Sequence, residues 1–230
     1  MTTMLKTLAA VTMWLVAAVA PSAAVTVPFT EDFVSDTANW KDVASLDLAQ
    51  VGSGGPDGGG YVTTEFAFTN ANPQTGSSVL FRGQDLFNSS GDAFVGNWLT
   101  AGVRQLSAYV RHDAPEPVDF FARLATPANF PGVIFGASAL VQPNTWTRLE
   151  FPISQTNPLV TVEGPPGNYN AALSNIGNLQ IGARVPAALA ADQTAYTFDL
   201  DKAFIVPEPS SILLLLAAAA IGLGPAIRSR

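Results

Sequence analysis

The run VRQLSAYVRHD does most to limit the fold. Leu106, Ala108 and Val110 alternate with Ser107, Tyr109 and Arg111. A period of two places apolar side chains on one face of an extended strand and polar ones on the other. The same alternation returns along the chain. VDFFARLA sets Phe120, Ala122 and Leu124 on one face, and TWTRLEFPI sets Thr147, Leu149, Phe151 and Ile153 against Trp146, Arg148 and Glu150. NLQIGARV alternates Leu179, Ile181 and Ala183 with polar or small residues. AYTFDLDKAFIV turns Tyr196, Phe198 and Leu200 inward and Thr197, Asp199 and Asp201 outward. Gly, Pro, Asn and Asp punctuate the runs, in a chain with 19 Gly and 17 Pro. Half-buried strands broken by turns at short intervals predict an all-β fold, an antiparallel β-sandwich. No capped pattern of period 3.6 persists, so helix is expected only in short pieces, around residues 84–88 and 169–175.

The two ends read differently. Residues 1–24 combine one early cation, Lys6, with an apolar stretch from Leu8 to Ala20 and a small-residue exit at Ser22 and Ala24. This is the pattern of a secretory signal peptide, with signal peptidase expected to cut between Ala24 and Val25. At the far end, Ser210 to Ile227 carries no charge. As a helix it spans about 27 Å, close to the roughly 30 Å of a bilayer's hydrocarbon core, so a C-terminal transmembrane helix is expected. Arg228 and Arg230 follow, and cations beside a span favour the cytoplasmic side. Ahead of the span, Pro207 and Pro209 fix φ and withhold amide donors, which makes Pro207-Glu208-Pro209 an extended segment that a protease can bind.

Between the ends, residues 25–206 are long enough for one sandwich domain. They carry 8 Lys and Arg against 17 Asp and Glu, a net charge of −9. That sign excludes nucleic acid as a partner, because phosphate backbones are repelled. The chain has no cysteine, so thiol catalysis, zinc–thiolate sites and disulfides are excluded. His112 is the single histidine and rules out a multi-histidine metal site. It sits at a strand end beside Asp113, nothing marks a nucleophile for it, and a structural role is expected. No enzyme is expected, and a secreted glycan-active enzyme is the least favoured of the functions weighed. The glycine-rich stretch VGSGGPDGGGYV reads as a turn entering a strand, since no Gly-Lys-Ser/Thr and no helix follow.

Sugar rings stack their C–H faces on flat aromatics. Candidate glycan-binding residues are therefore Trp146, Trp98, Trp40 and Tyr109, with Tyr169 beside them. Trp146 stands out, because alternation with Leu149 and Phe151 points it away from the core.

Val206-Pro-Glu-Pro-Ser, the apolar span and the short arginine-containing end resemble the PEP-CTERM sorting signal, over residues 206–230. That resemblance implies a substrate of exosortase in a Gram-negative bacterium that makes extracellular polysaccharide. It assigns Pro207, Glu208, Pro209, Arg228 and Arg230 to sorting within residues 207–230. It also implies transient anchoring in the inner membrane, cleavage near Pro-Glu-Pro, and release to the cell surface or extracellular matrix. The stretches FTEDFVSDTANW, SSVLFRG, TWTRLEFPI and YTFDLDKAFIV resemble carbohydrate-binding jelly-roll modules, and GGPDGGGYV with FVGNWLTAGVRQLSAYVRHD resembles concanavalin/laminin-G-like domains. A jelly-roll-like sandwich binding extracellular polysaccharide follows from this likeness, with a passive matrix protein lacking a small ligand as the alternative. The likeness further implies a structural calcium joining first and last strands, with Glu31 or Asp32 and Asp199 or Asp201 as ligands. Carboxylates gathered at one sandwich edge can satisfy such a hard cation.

Overall fold

The computed structural model describes residues 24–207. Residues 1–23 of the expected signal peptide and the tail from Glu208 onward, with Pro209, the expected span, Arg228 and Arg230, lie outside the described residues. Among the described residues no helix is long and apolar enough to cross a membrane.

Eleven strands form two antiparallel sheets, as the alternation predicts. One sheet contains β1 (Phe29–Glu31), β2 (Ala49–Val51), β3 (Tyr61–Ala67), β5 (Val103–His112), β8 (Thr147–Pro152) and β11 (Ala195–Pro207). Its order is β2-β3-β11-β5-β8, with β1 also on β11. The second sheet has the order β4-β10-β6-β7-β9. Its strands are β4 (Ser77–Gln84), β6 (Asp119–Ala125), β7 (Gly132–Gly136), β9 (Val160–Val162) and β10 (Asn178–Arg184). The chain repeatedly passes from one sheet to the other, so each sheet is assembled from distant segments. The single α-helix among the described residues, α1 (Asn168–Leu173), falls in the second expected helical region, and a 3-10 turn (Asp85–Phe87) falls in the first.

The inner faces hold the residues that the alternation assigned to them. Leu106, Ala108, Val110, Phe120, Ala122, Leu124, Leu149, Phe151, Ile181 and Phe198 are all fully buried. Two candidate glycan platforms are corrected here. Trp40 and Trp98 are 0 % exposed, so neither can stack on a sugar. Trp40 sits edge-on between Phe33 and Phe94, and its Nε1 donates to Ser90 Oγ at 2.8 Å. Its ring lies on bare backbone at Gly83, where a Cβ would come within 2.6 Å of Cζ2. Trp98 Nε1 donates to the Phe94 carbonyl at 2.8 Å. These loops close the sandwich ends because a buried indole contributes large apolar area while its N–H finds a partner. Tyr169 is likewise buried, in α1.

Strand β11 departs from strict alternation. A bulge lies between Asp201 and Phe204, and Lys202 there adopts φ of 48°. The bulge resets the phase, so Ala203 and Ile205 turn inward after Leu200. The strand runs on to Pro207, which pairs with Val103. Pro207 is therefore extended, as expected, but belongs to the end of an interior strand and not to a free linker. At the other end Val25 packs against the core, and Thr26 N donates to the Ala93 carbonyl at 2.9 Å.

Candidate functional site

The outer face of the five-stranded sheet carries a groove of about 600 Å³. Arg123 of β6 sits on its floor, opposite Gln180 of β10 and Ile134 of β7 in register. Nε and Nη2 of Arg123 donate to the two carboxylate oxygens of Glu163 at 2.6 and 2.7 Å. Nη1 donates to Asn129 Oδ1 at 2.7 Å and to Gln180 Oε1 at 3.0 Å, and Nη2 also donates to the Asn129 carbonyl at 2.7 Å. All the N–H donors of this guanidinium are thereby occupied, and the floor is held in one geometry. Gly132 permits the close approach, since a Cβ there would lie 2.5 Å from Glu163 Oε2 and 2.9 Å from Arg123 Nη2.

Farther along the same face, Phe121 packs against bare backbone at Gly182, where a Cβ would lie 2.4 Å from its Cζ. Arg184 covers the ring at 5.5 Å and donates to Asp119 Oδ2 at 2.7 Å. Phe121 is only 4 % exposed, so the groove has no flat aromatic platform. Its walls are mixed: the 70–75 loop supplies Asn70, Asn72, Gln74 and Thr75, β4 supplies Ser77 and Arg82, and Val43, Val79 and Ile134 add apolar surface between them. The one carboxylate in the lining is Glu163, already bound at both oxygens. Two carboxylates flanking a glycosidic bond, as hydrolysis requires, are not present in this groove.

The outer face of the six-stranded sheet is arranged differently. Trp146 points outward, as expected, and is half-buried. Its Nε1 donates to the Gly54 carbonyl at 2.9 Å, and Tyr61 meets it edge-on at 5.3 Å. Arg111 lies 4.7 Å from the Trp146 ring and 5.1 Å from that of Tyr61, and its Nε donates to Asp199 at 2.7 Å. Trp146 thus pins the glycine-rich loop over this face. Tyr109 is on the same face, half-buried, in register with Arg148 and Asp201.

That loop changes the fate of the outward acids. Asp199 and Asp201 follow the alternation but are buried, at 4 % and 0 % exposure. Asp201 Oδ1 accepts the Lys202 backbone N–H at 2.7 Å, whereas Oδ2 has no partner. Burial, with Asp57 and Asp32 nearby, pushes its pKa up to about 7. Lys202 Nζ bridges to Asp57 at 2.5 Å. A Cβ on Gly55 would meet Asp201 Oδ2 and the Gly59 carbonyl, each at 3.0 Å, and the Gly60 carbonyl at 3.1 Å. Gly55 thus packs its bare Cα against Asp201, and its N–H donates to the Gly59 carbonyl at 2.9 Å. The set expected for calcium is divided: Asp199 is held by Arg111, and Glu31 accepts Phe33 N–H at 3.3 Å. Among the described residues no three His, Asp or Glu side chains cluster as metal ligands, so an ion here would depend on Asp201 and backbone carbonyls.

His112 is buried, its Nε2 lies 3.0 Å from the Val141 carbonyl, and its ring is near Phe120 and Phe198. Desolvation lowers its pKa, which keeps the ring neutral and structural.

No protein-family model matches this chain, and no curated protein matches it either. Solved structures resemble it at low identity. The CBM22-1–GH10 modules of a Clostridium thermocellum endo-1,4-beta-D-xylanase, complexed with xylohexaose, align at 11% identity and TM-score 0.47. That alignment covers 79% of this chain but only 28% of the xylanase chain. The CBM22-1 xylan-binding domain from Paenibacillus barcinonensis aligns at 13% identity and TM-score 0.45, over 80% of this chain and 96% of its own. The family 11 carbohydrate-binding module of a Clostridium thermocellum cellulosomal cellulase aligns at 13% identity and TM-score 0.46, over 81% and 97%. The likeness is too slight to decide a ligand, and the sandwich is established by the sheets of this chain themselves.

Arg123, Gln180, Glu163 and Asn129 were not singled out from the sequence. Arg123 and Gln180 occupy outward positions of alternating runs, which was the available signal, but nothing local says that those strands are neighbours.

Asp201 yields a test. Its folded pKa lies above its ordinary value of 3.8, so the folded state binds the extra proton between about pH 4 and pH 7. The associated stability is fully present below that window and is lost as pH rises through 7. In chelator, Asp201→Asn should be more stable than wild type at pH 8 by a few kcal/mol, on the order implied by such a shift, and nearly equal to it at pH 4. Urea unfolding at both pH values measures this, and comparing the two proteins cancels the opposite slope of His112. An unchanged difference across the range would contradict the assignment.

Proposed function

We propose that this chain is a polysaccharide-binding protein of the bacterial cell surface or matrix, with the groove on the five-stranded sheet as its binding site. The observation that carries the reading is the groove itself, whose floor the Arg123 cluster holds in one geometry and whose walls present the amides and hydroxyls of Asn70, Asn72, Gln74 and Ser77. Sugar hydroxyls both donate and accept, and fixed planar polar groups bind them without reordering at the moment of binding. The single, ion-paired carboxylate in the lining favours binding over hydrolysis.

The ends fit export and sorting. Cleavage after Ala24 leaves Val25 at the start of a packed segment. Cleavage by exosortase near Pro-Glu-Pro leaves β11 whole, because its last paired residue is Pro207. The 210–227 span would hold the protein in the inner membrane until then. Calcium is proposed beside Asp201, whose unpartnered Oδ2 would be the carboxylate ligand, with Asp32 and Asp57 adding negative charge around it.

Three measurements test these proposals. Val79 lines the groove, and Val79→Trp should fill it and lower affinity for soluble polysaccharides more than about tenfold. Isothermal titration against a panel of polysaccharides reads this, with circular dichroism confirming the fold. Undiminished binding by the variant, or no binding by wild type, would refute the groove and leave a passive matrix role. Excess calcium should raise the melting temperature by about 5 °C or more over the chelated protein, as expected for an ion at about a hundred times its Kd. An unchanged melting temperature would remove the calcium. Mass spectrometry of the mature protein should find an N-terminus at Val25 and a C-terminus near Pro207–Pro209. Recovery of residues 212–230 on the mature chain would reduce the tail to an ordinary anchor.

A further inference from the structure

We propose that the ligand of this groove is an acidic polysaccharide, and that Arg82 pairs with its carboxylates. This rests on the polysaccharide-binding reading and names the chemistry of the chain bound there.

The charges lining the groove are Arg82, Arg123 and Glu163. Arg123 and Glu163 cancel: each carboxylate oxygen accepts from the guanidinium, whose remaining donors go to Asn129 and Gln180. Other cations on or beside this face are also matched. Arg184 is paired with Asp119, and Lys41, whose backbone bonds that of Arg82, is paired with Asp47. Arg82 alone in the lining has no carboxylate. Its Nη1 donates to the neutral Ser45 Oγ at 3.1 Å, and its Nε is buried without a partner. A half-buried guanidinium with an unmatched N–H has lost part of its hydration and gained no counter-charge. The buried Nε is out of a ligand's reach, so the terminal Nη1 and Nη2 form the planar fork that fits a carboxylate with two parallel hydrogen bonds.

The net charge of the whole protein is −7, opposite in sign to the groove. Remote acids do not override Arg82, because the Debye length at physiological salt is about 8 Å. An acid group seated in the groove responds mainly to charges within that distance. The absence of a flat aromatic surface points the same way. With Phe121 covered by Arg184, recognition has to come from hydrogen bonds and charge, and a uronic acid unit offers both along a repeating chain.

The test uses the purified full chain and two forms of one polymer. Polygalacturonate presents a carboxylate on every residue, and its fully methyl-esterified form keeps the backbone while removing the charge. Alginate provides a second acidic polymer, and xylan and mixed-linkage β-glucan serve as neutral ones. Wild type should bind an acidic polymer at least about tenfold more tightly than the neutral and esterified ones, an advantage that shrinks as salt rises. Arg82→Gln should remove about tenfold from acidic-polymer affinity and clearly less from neutral-polymer affinity. Arg82→Lys should restore only part of the loss, because it keeps the charge without the fork. Equal or tighter binding of the neutral polymers overturns the acidic ligand while leaving polysaccharide binding intact. An Arg82→Gln loss of the same size on every polymer also overturns it. Binding to none of the polymers overturns both readings.

Discussion

Strand β11 is hydrogen-bonded along both edges, and much of the six-stranded sheet depends on it. β5 follows one edge almost throughout. On the other edge β3 pairs as far as Leu200, and β1 takes over from Ala203. The handover is made at the bulge, where Lys202 is held at positive φ. Such a conformation costs a side-chain-bearing residue about 1–2 kcal/mol, and the pairing on both sides has to offset it. The bulge also allows Lys202 to reach Asp57 and leaves Asp201 beneath the glycine-rich loop. The buried acid is a consequence of how one strand changes partners.

The two outer faces use their polar residues in different ways. On the five-stranded sheet, Arg123 draws Glu163, Asn129 and Gln180 into a closed set in which each group is satisfied. On the six-stranded sheet, Arg111 is enclosed by Trp146, Tyr61 and Asp199, which fastens a loop to the strands. Both arrangements bury a guanidinium, and both supply it with a carboxylate, because an unpaired charge out of water is costly. Against that pattern the unmatched groups stand out. Two of them are Arg82 in the groove, a cation without a carboxylate, and Asp201 Oδ2 beneath the loop, a buried carboxyl oxygen without a donor.

Much of the fold was legible in the sequence. The inward set of β5, β6, β8 and β10 followed from alternation, and so did the outward direction of Trp146. The departures have local causes that alternation cannot contain. Asp199 and Asp201 point out of the sandwich yet are buried, because a loop more than a hundred residues earlier folds over them. Trp40 and Trp98, candidate glycan platforms in loop sequence, instead plug the sandwich ends. A large aromatic in a loop gains more by burial than by exposure when its N–H can be satisfied there. Of the candidate glycan residues, Trp146 and Tyr109 remain at the surface, on the sheet that does not carry the groove.

The sequence by itself determined that the domain is all-β, which side chains face inward, that the chain is acidic and free of cysteine, and that uncharged apolar runs lie near both of its ends. Each of these follows from a short-range pattern, such as the two-residue repeat of a pleated strand or the length of an apolar run. The tertiary structure decided which outward residues become neighbours. Arg82, Arg123, Glu163 and Gln180 lie on four separate stretches of chain, and only the order β4-β10-β6-β7-β9 and the connections beyond it gather them on one face. Strand order depends on long-range pairing of whole hydrophobic faces, which no local period encodes, so the groove and its unpaired arginine exist only in the folded chain.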